Sequence, residues 1–197
     1  DNWPRCVQLS WQIHDQKGSL TSSRDYLIKP DGFKIPYDSE NIHGISTELA
    51  IQEGEGVNNV LNYFQDDLTK VDYIIGHNVK FDRNILGAEF LRKGKDDPFP
   101  ALKIIDTCTE ETANVCQIKG GPRGRFKLPT LTELYFFLFN DKFEEAHNAT
   151  ADVEATARVF FELIRRKLIK PTAFDDQNLQ TDQIIKIQNT ISLYGIK

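Results

Sequence analysis

Methionine is absent from this chain of 197 residues, even at its first position, which is Asp1. The expectation drawn from this is that further residues precede Asp1. Cysteine is scarce as well: Cys6, Cys108 and Cys116 are an odd number without close pairing, which excludes a disulfide framework and a cysteine-built zinc site. A reduced, cytoplasmic protein is expected. No apolar run approaches the roughly 18 residues of a membrane span, and no signal-peptide pattern opens the chain. A membrane partner is therefore not expected. Positive charge is not in surplus either, since the net charge is −5. That excludes a basic coat over the whole surface, so any contact with nucleic acid has to be local. Internal repeats and low-complexity segments are also missing.

What is present fits one globular domain with a sizeable core, because 40% of the residues are hydrophobic. The domain is expected over residues 1–170, with residues 171–197 as a polar linker and a C-terminal helix that buries Ile184, Ile185, Ile187 and Ile191. Near the start, Val7, Leu9, Trp11 and Ile13 alternate with Gln8, Ser10 and Gln12, the period of a strand with one wet face. Turn residues at 15–18 and an extended stretch at 24–29 make a hairpin with it. Residues 29–41 read as loop, punctuated by Pro30, Gly32 and Pro36, and Ser46 or Thr47 can cap a short helix after them.

Further on, Val57, Val60, Leu61, Phe64 and Leu68 form the stripe of an amphipathic helix. The apolar run Tyr73-Ile74-Ile75-Gly76 suits a strand covered on both faces, and residues 84–93 continue as helix. A second short strand at 102–105 ends in Asp106, which reads as a cap rather than a ligand. The stretch Lys119-Gly120-Gly121-Pro122-Arg123-Gly124-Arg125-Phe126-Lys127 is basic and rich in glycine. It is either a phosphate grip or a solvated loop. Thr130 with Glu133 makes a capping box for a helix that turns Leu131, Leu134, Phe137 and Leu138 inward.

Two places carry chemistry. In Ala146-His147-Asn148-Ala149-Thr150-Ala151-Asp152 a histidine and a carboxylate stand five residues apart where a loop becomes a helix. In Gly76-His77-Asn78-Val79-Lys80-Phe81-Asp82 an acid lies just beyond the carboxyl end of a buried strand, where open α/β sheets place their ligands. Each acid can also be a simple partner of its helix dipole, and His147 a helix-entry residue. Together the two acids, with a histidine beside one, suit hard divalent cations, Mg²⁺ or Mn²⁺.

Gly76-His77-Asn78-x-x-Phe81-Asp82 followed by His147-x-Ala149-x-x-Asp152 resembles the second and third motifs of the DEDDh (DnaQ-like) 3′→5′ exonuclease superfamily. Its best-known member is the proofreading epsilon subunit of bacterial DNA polymerase III. The segment Asn41-Ile42-His43-Gly44-Ile45-Ser46 resembles that family's loop near the 3′-terminal nucleotide. The resemblance implies an α/β fold, an RNase H-like mixed sheet flanked by helices. It implies phosphodiester hydrolysis at two divalent cations about 4 Å apart, with Asp82 and Asp152 as metal-binding residues and His147 as general base. His43, Gly44, Asn78 and Phe81 would be substrate contacts. The implied partner is a single-stranded DNA 3′ end, with RNA as the alternative polymer and DNA polymerase subunits as associates.

The family's first motif, an Asp-x-Glu on the first and central strand, is not found in the first 30 residues. The expected consequence is a sheet whose centre is vacant or filled by residues outside this sequence. A catalytically dead nucleic-acid-binding module of the same fold is the competing expectation. In the tail, Gln188-Asn189-Thr190-Ile191-Ser192-Leu193-Tyr194 resembles a sliding-clamp-binding peptide, against the reading that the same helix packs on the domain.

Overall fold

In a computed structural model of the chain, residues 3–15, 17–142, 149–169 and 190–192 are described. The first apolar alternation forms β1 (Gln8–His14), which pairs antiparallel with β2 (Leu20–Lys29). Between them the Asp15 carboxylate accepts from the N–H groups of Lys17 and Ser19, both at 2.8 Å, so an aspartate turn closes the hairpin. On one face of β1, Leu9, Trp11 and Ile13 enter the core. The opposite face, expected to be wet, is buried as well: Ser10, Gln12 and His14 keep 7% exposure or less. A long helix, α7 (Ala149–Arg165), packs over it, and alternation alone does not reveal a covering layer of polar contacts.

Helices α1 (Tyr37–His43) and α2 (Thr47–Glu53) follow the hairpin, then β3 (Glu55–Gly56) and α3 (Val57–Leu68). The first of these helices begins inside the stretch expected to be loop and runs two residues past it. It buries no residue, so it shows no apolar stripe; Pro36 at its entry and Gly44 at its exit set its bounds. Beyond come β4 (Tyr73–Gly76), α4 (Val79–Arg92), β5 (Lys103–Asp106), α5 (Glu110–Cys116) and α6 (Leu131–Phe139). The capping box is present, with the Glu133 N–H donating to Thr130 Oγ1 at 3.2 Å and the Thr130 N–H to Glu133 Oε2 at 2.8 Å. Phe137, expected inward, is 44% exposed, and Tyr135 takes the buried position on α6.

Successive strand residues point to opposite faces of a sheet, and β4 shows what that does here. Ile74 joins Trp11, Phe64 and Phe90 in a core beneath α3 and α4, while Ile75 joins Leu134, Val159 and Phe160 beneath α6 and α7. Helices thus cover both faces of one mixed sheet. Its strand order is β3-β2-β1-β6-β4-β5, where β6 is Thr190–Ser192.

The last strand corrects two expectations. The sheet centre is not vacant: β6 lies there, antiparallel to β1 and parallel to β4. A gap at that place would leave backbone groups of both neighbours unpaired, and three tail residues supply partners for them. The C-terminal helix expected from about Thr181 falls on residues outside those described up to 189, and at 190–192 the backbone is strand, which Thr190 and Ile191 favour as β-branched residues. The clamp-type peptide likewise overlaps β6, where its middle residues are committed to sheet pairing.

Candidate active site at the carboxyl end of β4

Strand direction gathers the candidate residues. β5 is parallel to β4, and β1 runs against β6, which is parallel to β4; the start of β1 therefore lies at the same edge as the ends of β4 and β5. Cys6, just ahead of β1, ties that edge to α4, because its N–H donates to Glu89 Oε1 at 3.2 Å while Arg5 pairs with the same carboxylate at 2.8 Å. The segment of α1 and α2 reaches this edge too, since Ile35, Ile45 and Ala50 cluster with Val7. At the far end of α7, Phe161 lies 5.6 Å from the His14 ring and against Gly18 in the hairpin turn. Asp152 stands nine residues earlier on that helix, about 14 Å away along the axis at 1.5 Å per residue. It therefore lies toward the edge where β4 ends.

Local sequence explains how α4 begins. A Cβ on Gly76 would come within 2.8 Å of the Val79 side chain, so only glycine lets the helix start this close to its strand. Asn78 then turns the chain in the left-handed region, at φ 60° and ψ 42°, a conformation asparagine tolerates better than most residues. Its side chain makes no capping bond. Asp106, at the end of the neighbouring strand, takes that place: its carboxylate accepts from the N–H groups of Asn78 at 2.8 Å, Val79 at 3.1 Å and Cys108 at 2.8 Å. The expected cap is there, but on a helix that starts 27 residues earlier in the chain.

His77 is the residue that the sequence left without a role. It is 3% exposed, with Nδ1 3.0 Å from Thr107 Oγ1 and Nε2 3.0 Å from the Pro129 carbonyl. Burial holds its pKa below the ordinary 6.5, against smaller raising effects of the Pro129 bond and the Asp106 charge. The Thr107 hydroxyl that faces Nδ1 also lies 3.1 Å from the Gly76 carbonyl, to which it donates, so the ring links the end of β4 to the segment before α6. Its position directly after a buried strand was the one signal in the sequence.

Asp82 lies in the first turn of α4 and is 4% exposed; Asp152 lies in the first turn of α7 and is 5% exposed. Both therefore sit near the positive end of a helix dipole. Asp82 is close enough to Cys6 that its charge, after burial and the Glu89 charge, helps to push that thiol well above its ordinary pKa. Phe81 is 45% exposed and meets Trp3 edge-on with centroids 6.2 Å apart. At the end of α1, His43 Nδ1 accepts from the Ile45 N–H at 3.1 Å, and Gly44 closes the helix at φ 73°. His147 lies outside the described residues. Two buried carboxylates are oxygen donors of the kind hard divalent cations take. Among the described residues no group of three or more His, Cys, Asp or Glu is placed to hold an ion.

Residues 13–160 match the family of RNase T, described as an exonuclease. The chain belongs to that exonuclease family. Ribonuclease T of Marinobacter nauticus is 30% identical over 122 residues, which are 59% of this chain and 51% of that protein. Among solved structures, E. coli exonuclease I in complex with a dT13 oligonucleotide superposes with a TM-score of 0.66 at 20% identity, over 83% of this chain and 38% of that one. The zinc-bound form of the E. coli exonuclease I–ssDNA complex gives 0.64 at 20% identity, over 83% and 37%. The chain thus spans about half the length of that ribonuclease T and under two fifths of exonuclease I. The structural likeness shows the fold: an RNase H-like mixed sheet flanked by helices.

Proposed function

We propose that the chain removes nucleotides from the 3′ end of single-stranded DNA as a divalent-metal-dependent 3′→5′ exonuclease. The observation that carries this reading is the pair of buried acids, Asp82 and Asp152, each at a helix start, in a chain of an exonuclease family. Burying a carboxylate is costly, so acids kept there have a task. Asp82 and Asp152 would hold the ions, Mg²⁺ or Mn²⁺, which supply a nucleophile at neutral pH and stabilise charge on the leaving oxygen. His147 takes the proton of the attacking water. Asn78, Phe81, His43 and Gly44 bind and orient the terminal nucleotide, Phe81 by stacking and Asn78 through an amide not used for capping. Proofreading beside DNA polymerase subunits is the setting that the epsilon-like motifs support, and co-purification with a polymerase tests it.

RNA is the second polymer, favoured by the name of the Marinobacter relative as DNA is by the exonuclease I complexes. A module that binds without hydrolysis is the third reading, since no Asp-x-Glu stands in the first 30 residues. One experiment addresses all three: 5′-labelled DNA and RNA single strands are incubated with Mg²⁺ and the wild type, Asp82→Ala, Asp152→Ala or His147→Ala. The expected result is stepwise shortening of DNA from its 3′ end, slowed at least about 100-fold in each variant. Shortening of RNA alone replaces the substrate. Binding without shortening of either strand overturns the enzyme reading.

A further inference from the structure

The basic, glycine-rich stretch before α6 has a shape and a place of its own. In a chain of net charge −5, the nine residues 119–127 carry four cations and no acid. The loop is closed at its base, where the Lys127 N–H donates to the Ile118 carbonyl at 2.9 Å. A short 3-10 turn, Pro122–Gly124, forms its tip, with Arg123 in the left-handed region at φ 57°. The two arms press together: a Cβ on Gly121 would lie 2.3 Å from the Phe126 carbonyl oxygen, so a side chain there would force them apart.

Its charges divide into two sets. Arg125 pairs with Glu110 of α5 at 2.6 Å, and Lys127 with Glu133 of α6 at 2.7 Å, which seats the loop between the two helices. Lys119 and Arg123 are exposed, and on the same loop Phe126 is 37% and Leu128 is 49% exposed. The loop ends at the candidate site, because the Pro129 carbonyl accepts from His77, the neighbour of Asn78. Pro129 stands three positions after Phe126, a reach of at most about 10 Å. Cations for a phosphate chain beside an exposed ring for a base are what single-stranded nucleic acid asks of a surface.

We propose that the loop of residues 118–128 is a second binding surface for the single strand, with Lys119 and Arg123 on its phosphates and Phe126 under one base, upstream of the terminal nucleotide. This rests on the nuclease reading and adds to it where the rest of the strand lies. Strands too short to reach the loop gain nothing from it.

The test measures fluorescence anisotropy of 5′-labelled dT4 and dT16 in EDTA, where binding is read without hydrolysis. The proteins are the full chain, Phe126→Ala, Phe126→Trp and Lys119→Ala/Arg123→Ala. Wild type is expected to prefer dT16, and Phe126→Ala to weaken dT16 binding about tenfold, with Phe126→Trp restoring it. The double variant lowers the salt dependence of log K by about 0.7 for each phosphate it no longer neutralises. Binding of dT4 stays unchanged in all of them. Unaltered dT16 binding and salt slope in both loop variants overturn the proposal and leave the nuclease reading intact. A wild type that binds neither strand in EDTA overturns the loop surface, and shortening of the strands in Mg²⁺ then decides the nuclease reading separately. Loss of dT16 binding in the variants, with no Mg²⁺-dependent shortening by wild type, keeps the loop surface and removes the enzyme.

Discussion

Helices α4 and α6 begin in opposite ways. At α6 the start is local: Thr130 and Glu133, three residues apart, satisfy each other's backbone N–H groups. At α4 the N-cap side chain makes no capping bond, and the first N–H groups go to Asp106, from the next strand. The structural helix is capped by its own sequence, while the helix beside the candidate site borrows its cap and leaves the Asn78 side chain out of the bonding. A borrowed cap makes the position of the turn depend on the register of β4 with β5. It also leaves a polar side chain at the sheet edge for another partner.

The largest effect expected from this difference is at Asp106. Its carboxylate accepts three backbone N–H bonds, and hydrogen bonds to a charged acceptor contribute more than neutral ones, so Asp106→Ala should cost about 3 kcal/mol in urea unfolding. Equal costs for Asp106→Ala and Thr130→Ala would erase the contrast between the two starts. Next comes His77→Ala, which removes the ring between Thr107 and Pro129 and should cost about 2 kcal/mol through buried groups left unpaired.

That position also carries a pH signature. An imidazole whose folded pKa lies below the 6.5 of the unfolded chain is protonated first in the unfolded state. Stability is then full above pH 6.5 and is lost as the pH falls from there toward the depressed folded value. His14, lowered mainly by its own burial, acts in the same direction, so His77→Ala should flatten the decline without abolishing it. A decline unchanged in the variant assigns the whole effect to His14. Thr130→Ala follows, at about 1 kcal/mol, the usual worth of a helix cap.

The contrast also accounts for what the sequence disclosed. The capping box, the stripe of α3 and the apolar run of β4 depend on neighbours within a few residues, and each reads correctly from periodicity and spacing. The acids Asp82 and Asp152 were legible as helix-start carboxylates, because a motif holds them at fixed distances from Asn78 and His147. Contacts made across the sheet were hidden. Asp106 is 28 residues from Asn78, and Pro129 is 52 from His77. Burial of Ser10, Gln12 and His14 depends on α7, over a hundred residues away. The place of β6 was illegible for a related reason: its isoleucine fits the stripe of a helix as well as a strand, and only the partners β1 and β4 decide.

The smallest effect on stability, and the sharpest on the comparison, belongs to Asn78→Gly set beside Asn78→Ala. The left-handed backbone of Asn78, at φ 60°, penalises residues with an ordinary Cβ. Asn78→Ala should therefore cost about 1 kcal/mol, while Asn78→Gly, free of that penalty but looser when unfolded, should stay within about 0.5 kcal/mol of wild type. The two variants lack the same amide and differ in backbone strain. If the amide binds the terminal nucleotide, both weaken binding of dT4 in EDTA to the same degree despite their different stabilities. If Asn78 serves the turn alone, glycine binds as wild type does and only alanine falls behind. The outcome decides whether borrowing a cap from Asp106 frees a side chain for substrate or merely accommodates a tight turn.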